Sequence, residues 1–137
     1  MAKLLFRYST KELSSGVRHA LMRHRTLARV AMTAVRNTIV KAAVDRCPKD
    51  KGNLALSITG DVVENEKSWA ATCYVASNEF TREYAVWIHE GEYNLGPNSL
   101  AKQASLPGIV VGPKYITRGV EDSRAEIFEN LERCIKL

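Results

Sequence analysis

Three side chains that could do chemistry lie close together in the segment Tyr84–Ser99, which reads YAVWIHEGEYNLGPNS. They are His89, Glu90 and Glu92, and these residue types can bind a metal ion or transfer protons. A zinc-protease helix needs two histidines one turn apart, as in H-E-x-x-H, and HEGEY has no second histidine. The other two histidines of the chain are five residues apart, so they would not share a helix face. The segment therefore lacks a complete metal or acid–base motif.

The rest of the chain also lacks the usual signatures of an enzyme. It has no Gly-x-Ser-x-Gly elbow, no Gly-rich phosphate loop and no dinucleotide-binding fingerprint. Its three cysteines, Cys47, Cys73 and Cys134, are far apart and lack zinc-site spacing, so we expect free, mostly buried thiols. The sequence thus predicts no catalysis, no cofactor and no metal, and favours a binding or assembly role. An enzyme that uses His89 is kept as an alternative.

Charge is spread unevenly along the 137 residues, whose net charge is +5. Residues 1–51 hold twelve basic and three acidic residues, whereas the remainder holds eight basic and twelve acidic ones. Four arginines fall in one stripe on a helical wheel: Arg18, Arg25, Arg29 and Arg36. The stripe is either a solvated helix face or a contact surface for an acidic partner or a phosphate backbone. The charge split suits nucleic-acid contact or head-to-tail packing of identical subunits.

The chain length predicts one domain, and the pattern of apolar residues divides it into four parts. Residues 1–16 form an arm with a short helix, and residues 17–47 form a long basic helix that ends before Pro48. Residues 54–112 form the sheet, with a long loop at 92–108, and residues 113–136 form the C-terminal helix. No apolar run approaches the ~20 residues that span a bilayer, and the first residues do not resemble a signal peptide. We therefore expect no membrane contact and a cytoplasmic location.

Two alternating segments in the sheet region predict an antiparallel hairpin. The first, LALSITGDVV, places Leu54, Leu56 and Ile58 on one face, and the second is WAATCYVAS. A short IVVG run at 109–112 predicts a further strand. Tyr84–Gly91 predicts one or two helical turns packed on the sheet, with its glycine as a C-cap at positive φ. Tyr84 and Ile88 would then hold the fold, while residues 90–99 reach toward a neighbour.

The order of these motifs resembles the small head–tail connector or tail-completion (neck) proteins of tailed bacteriophages, which include minor tail components. CPKDKGNLALSI is similar to the family's stretch after its long helix, YAVWIHEG to its motif after the hairpin, and GPKYITRGVED to the start of its last helix. The positions that carry the resemblance are Pro48, Gly52, Leu54, Ser57, Ile58, Tyr84, Ala85, Ile88, Glu90, Gly91, Tyr115 and Ile116. The chain departs from the family at Lys51, at Ala55 and at the Tyr115-Ile116 pair, where Thr, Arg and Phe-Leu are usual.

The resemblance implies an α+β fold in which a long N-terminal helix and a C-terminal helix pack on a curved, mainly antiparallel sheet. It also implies a structural virion protein that forms a ring around the DNA channel and joins the portal complex to the tail tube. We expect a homo-oligomer, a hexamer in preference to a dodecamer, assembled in the host cytoplasm. Its neighbours would be connector or head-closure proteins and the tail tube or tail terminator, with non-specific DNA contact in the channel.

Two further readings stay open. The chain could be a tail terminator of the same assembly, or a small basic DNA-binding protein that uses the arginine stripe. If it forms a ring, the basic helix of one subunit would meet the acidic C-terminal part of the next.

Overall fold

A three-stranded antiparallel sheet covered by a long helix forms the centre of the protein, which has the predicted α+β fold. A computed structural model describes residues 5–9, 25–49, 52–65, 68–76 and 79–136. The strands are β1 (Leu5–Ser9), β2 (Ile58–Glu64) and β3 (Trp69–Val75). The helices are α1 (Arg25–Arg46), α2 (Asn53–Leu56), α3 (Glu79–Glu90), α4 (Pro97–Ser105), α5 (Tyr115–Asp122) and α6 (Arg124–Lys136).

The sheet has the order β1-β3-β2, so the predicted hairpin of β2 and β3 is confirmed and β1 is added on the other side of β3. The turn of the hairpin is closed by a hydrogen bond from Asn65 N to Ser68 O at 2.9 Å. Alternate residues of β3, from Trp69 to Val75, join the core cluster. Because β3 lies in the middle of the sheet, it is buried at every position except Tyr74.

The long helix α1 supplies the other half of the core. Its buried stripe repeats at helical spacing through Ala28, Ala31, Met32, Val35 and Ile39, and the helix packs on both the sheet and α5. The helix ends at Arg46, one residue before Cys47-Pro48, as the sequence predicts.

A close approach of backbones joins α1 to α5. A Cβ atom added at Gly119 would lie 3.0 Å from Ala43 N and 3.1 Å from Ala42 C. Small residues on both helices therefore allow this contact, and Gly119 has a packing role although glycine weakens a helix interior.

The segment before β2 differs from the prediction. Residues Asn53–Leu56 form a helical turn, so Leu56 is 86% exposed while Leu54 and Ile58 are buried, and the three do not share a face. Gly52 enters this turn with φ 87. Ser57 ends it, because its hydroxyl donates to Asn53 O at 2.9 Å and its N–H to Leu54 O at 3.0 Å. Such local hydrogen bonds compete with strand pairing.

Three predictions for the C-terminal half are also wrong. The expected loop at 92–108 contains α4, which Pro97 opens at a position where helices accept proline. Residues 109–112 form no strand in the described sheet, because Val111 N bonds Gln103 Oε1 at 3.1 Å and Gly112 N bonds Arg46 O at 3.0 Å. The C-terminal helix is two helices, which meet at Ser123.

The N-terminal predictions can be followed only in part. Ser9, within the segment 1–16 that was predicted to form an arm with a short helix, is the last residue of β1. Residues 10–24, which include the rest of that short helix and the first turns of the predicted long helix, lie outside the described residues.

Candidate functional site

The residues that look catalytic in the sequence form a joint between α3 and α5. His89 lies in the last turn of α3, is fully buried, and places Nδ1 2.6 Å from Glu90 Oε1. The other oxygen of Glu90 accepts a hydrogen bond from Lys114 Nζ, and Lys114 N donates to His89 O at 2.7 Å. Lys114 has φ 57, a left-handed conformation that non-glycine residues rarely adopt. The two contacts of Lys114 hold it there and tie α3 to the start of α5.

The protonation states of His89 and Glu90 follow from the burial of the histidine and from the ion pair of the glutamate. Burial lowers the pKa of His89, although the adjacent Glu90 carboxylate opposes that shift. The hydrogen bond from Lys114, and then that from His89, lowers the pKa of Glu90. At neutral pH His89 is therefore neutral and Glu90 is a carboxylate. Because a carboxylate only accepts hydrogen bonds, the proton of the imidazole lies on Nδ1.

Glu92 does not join the other two candidates. It is exposed, and it has no hydrogen bond or ion pair within the part of the chain that the structure describes. The His89 ring instead packs edge-on against Tyr115, with ring centroids 4.9 Å apart. The same described ranges contain no group of three or more His, Cys, Asp or Glu side chains that could hold a metal ion. The structure thus brings together His89 and Glu90 and places Lys114 and Tyr115 in contact with them.

Gly91 is needed for a reason other than the predicted one. Its φ is not positive, so the prediction of a left-handed C-cap is wrong. Its N–H donates to Trp87 O at 2.7 Å, and a Cβ atom at Gly91 would lie 2.5 Å from that same oxygen. The carbonyl oxygen of the preceding helical turn, and not a left-handed conformation, leaves no room for a side chain at Gly91.

The segment predicted to reach outward folds back on the end of α1. Ser99 is buried; its hydroxyl accepts from Lys49 N at 2.8 Å and donates to Lys49 O at 3.1 Å. Lys102 Nζ donates to the carbonyl oxygens of Val44 and Cys47, the latter at 2.6 Å. The last carbonyls of a helix have no partner within the helix, and a lysine commonly caps them. Helix α4 is therefore a cap for α1.

The other motif positions lie around the same joints. Pro48, Leu54, Ile58, Ala85, Ile88, Tyr115 and Ile116 are buried. Tyr84 is 43% exposed, so of the two residues expected to hold the fold only Ile88, at 5% exposure, is in the core.

Helix α3 has a solvent-facing side, although the sequence predicts that Tyr84–Gly91 packs on the sheet. We call Tyr84 and Trp87 the aromatic face; Trp87 is 54% exposed. The ring of Tyr93 stacks on Trp87, with centroids 5.2 Å apart and planes 30° apart. A cleft of about 210 Å³ lies beside these rings, with Pro48, Leu95 and Pro97 among its apolar lining. The spacing of three residues between Tyr84 and Trp87 is the sequence signal for this face.

The arginine stripe is partly engaged within the chain. Arg29 Nη2 lies 3.3 Å from Glu64 Oε2 of β2, and Arg36 donates to Asn37 Oδ1 at 2.8 Å through Nη2 and at 3.1 Å through Nε. Asp61 and Glu64 line the same groove as the two arginines. Arg25 is the first residue of α1, and Arg18 lies outside the described residues. Because carboxylates of β2 lie beside the stripe, a phosphate would compete with them for the arginines.

A contact between the basic and acidic regions is also made inside the chain. Arg46 is nearly buried; its Nε lies 3.0 Å from Asp122 Oδ2, and its Nη1 donates to Ala42 O at 3.0 Å. Helix α6 carries three basic and three acidic residues, so the C-terminal helix has no net acidic charge of its own. Part of the charge split is thus used to pack α1 against α5.

No family model, curated protein or solved structure matches this chain. Within the described ranges, no helix is both long enough and apolar enough to cross a membrane.

Proposed function

We propose that this protein is a non-catalytic structural component of a tailed-bacteriophage virion. It forms a homo-oligomeric ring, with a hexamer favoured, at the head–tail junction. The ring joins the portal or connector complex to the tail tube around the DNA channel. It assembles in the host bacterial cytoplasm, and its neighbours are head-closure or connector proteins and the tail tube or tail terminator.

The observation that carries the proposal is the structural use of the family-like motifs. Glu90, the acidic residue of YAVWIHEG, binds Lys114 at the entry of α5, and Tyr115 packs against His89. The motif after the long helix begins at Pro48, whose neighbour Lys49 is bonded to Ser99 of α4. Motifs that are distant in sequence thus meet at joints between helices, as expected for a scaffold. The residues that look catalytic have structural partners instead.

The DNA-binding alternative has less support in the geometry. Its key residues, Arg29 and Arg36, lie beside Asp61 and Glu64, which weakens the positive potential that a phosphate backbone would meet. Contact with DNA inside a ring is therefore proposed as secondary and non-specific. The tail-terminator alternative shares the ring and differs in its position along the tail.

The test is electron microscopy of the purified full chain, with native mass spectrometry over a concentration series. Rings with a central channel are expected, with a mass that gives the subunit number. A chain that stays monomeric at every concentration and binds duplex DNA tightly, with an affinity that falls steeply with salt, would overturn the proposal.

A further inference from the structure

The sheet has two edges that face away from β3, one on each outer strand. Just before β2, Ser57 O accepts a hydrogen bond from Ala76 N at 2.8 Å, so the backbone groups of Ser57 point toward β3. Because the direction of these groups alternates along a strand, those of Ile58, Gly60 and Val62 point away from β3. Within the described ranges, no hydrogen bond joins these outward groups to another residue. Strand β2 therefore has an edge that can pair with a further strand.

Strand β1 has a similar edge on the other side of the sheet. By the same alternation the odd-numbered residues of β3 bond β1, and they pair with Phe6 and Tyr8. The backbone groups of Leu5, Arg7 and Ser9 therefore point away from β3, and no described backbone group outside β3 bonds them. Proline and lysine commonly protect such an edge from pairing with another chain, and neither strand contains them. Both edges of the sheet can thus take up a further strand.

We propose that β2 of one subunit pairs with β1 of the next subunit, so that neighbouring subunits share one continuous sheet. The inference rests on the proposed ring and assigns its contact. Strands β1 and β2 both run antiparallel to β3, so they are parallel to each other, and each added subunit keeps the same strand direction. The two edges differ, so the contact is heterologous, and its repetition closes into a ring when the rotation allows it. Pairing of β2 with β2 of another copy would instead be a two-fold contact.

The backbone groups of the two edges select an extended polypeptide as the occupant. Each outward residue offers one N–H donor and one C=O acceptor, and these repeat at every second residue of the strand. A strand from another chain matches that pattern, as in recognition by strand addition to a sheet edge. A phosphate backbone offers acceptors alone and would leave the carbonyl oxygens without donors. A second copy of this chain supplies a matching edge on every subunit.

The register of the sheet places opposite charges at the two edges. Arg7 and Asp61 both pair with Thr72, so the three positions form one row across the sheet. Neighbouring strands are about 4.8 Å apart, so the two charged positions are about 10 Å apart within a subunit and about 5 Å apart across the proposed contact. Asp61 is exposed and accepts a hydrogen bond from the hydroxyl of Tyr74 at 2.8 Å. It has no ion pair with any residue that the structure describes, so its charge is available to a neighbour.

The first experiment exchanges the two charges in the full chain. Asp61→Arg places two arginines side by side across the contact, so the dissociation constant of the ring is expected to rise at least ~10-fold in mass photometry at low salt. Adding Arg7→Asp to the same chain is expected to return the constant to within about 3-fold of the wild type, because each pair is again of opposite charge. Glu92→Arg is the matched control: it makes the same change in net charge at an exposed position outside the sheet, and wild-type assembly is expected.

The inference would be overturned, with the proposed ring intact, if rings of Asp61→Arg were as stable as those of the wild type. A double variant no tighter than Asp61→Arg, or a control weakened as much as Asp61→Arg, would overturn it equally, because the effect would then come from net charge or from the loss of Asp61 alone.

The second experiment maps the contact. Ser9 and Val63 both pair with Ala70, so they end another row of the sheet at its two edges. Ser9→Cys is introduced in a tagged chain and Val63→Cys in an untagged chain, both in a Cys134→Ser background. The two chains are co-expressed and treated with a short bis-maleimide, and a cross-link between the two different chains is expected.

A cross-link of the Val63→Cys chain with itself would show that β2 pairs with β2, and would overturn the inference. Rings without the mixed product would also overturn the inference alone. An absence of both rings and product would overturn the proposed function as well.

Discussion

Replacing His89 by alanine tests whether this residue is structural. His89 is fully buried, contacts Glu90 at 2.6 Å and packs on Tyr115. Truncation leaves a cavity against Tyr115 and removes the hydrogen bond to Glu90. Large-to-small changes in a core cost about 2–4 kcal/mol, and the lost hydrogen bond contributes about 1 kcal/mol of that range. We therefore expect the free energy of unfolding to fall by about 3 kcal/mol and Tm to fall by about 10 °C.

The same variant should change how stability depends on pH. Burial lowers the pKa of His89 in the folded state below its ordinary 6.5, so the unfolded chain binds more protons as pH falls below that value. The stability contributed by neutral His89 is thus fully present above pH 6.5. Below pH 6.5 the free energy of unfolding falls, by at most about 1.4 kcal/mol for each pH unit. Between pH 5.5 and 7.5 Glu90 stays charged in both states, because its folded pKa is lowered from 4.5. The difference between the wild type and His89→Ala should therefore shrink toward pH 5.5.

The assay is urea unfolding of both chains at pH 7.5 and pH 5.5, with Glu92→Ala as the control. The side chain of Glu92 is exposed and makes no hydrogen bond or ion pair with any residue that the structure describes. Its removal should therefore change the free energy of unfolding by less than about 0.5 kcal/mol. If His89→Ala were as stable as Glu92→Ala at pH 7.5, the structural role would be refuted. If the stability difference between the wild type and His89→Ala were the same at pH 5.5 as at pH 7.5, only the predicted pH dependence would be refuted.

Three further outcomes follow from single contacts. Gly91→Ala should lose about 1–3 kcal/mol in a urea melt, because its Cβ would lie 2.5 Å from Trp87 O; wild-type stability would contradict this. Ser99→Ala should lose about 1–3 kcal/mol and expose residues 97–105 to limited proteolysis, since two hydrogen bonds to the backbone after α1 disappear; an unchanged digestion pattern would count against α4 as a cap. Burial raises the pKa of Cys47 and of Cys73 to about 12, so in the native state both thiols should react with a thiol reagent at pH 8 far more slowly than the third cysteine; equal rates would show that the core opens.

Much of the fold could be predicted because its causes are local. The long helix and its end at Pro48, the β2–β3 hairpin and the buried thiols depend on periodicity, on the sterics of proline and on residue type. These effects act within a few residues and are visible in a single sequence.

One error came from distant residues and another from a local competition that the alternating pattern does not reveal. The segment at 92–108 has loop composition, yet α4 forms there because Lys102 and Ser99 bond the end of α1, more than forty positions away. Leu56 alternates as in a strand, but Ser57 and Gly52 close a helical turn instead. Residue types alone did not distinguish these outcomes.

The sequence by itself determined the long amphipathic helix and the hairpin of β2 and β3, because apolar periodicity and backbone sterics act locally. Only the tertiary structure decided what His89 and Glu90 do. Their roles depend on Lys114, twenty-four positions after Glu90, and on the ring of Tyr115, which packs against His89. It likewise paired Arg29 with Glu64, thirty-five positions apart, and left Trp87 exposed. The ion-pair and hydrogen-bond partners of a side chain depend on which helices and strands are in contact. A single sequence does not specify those contacts.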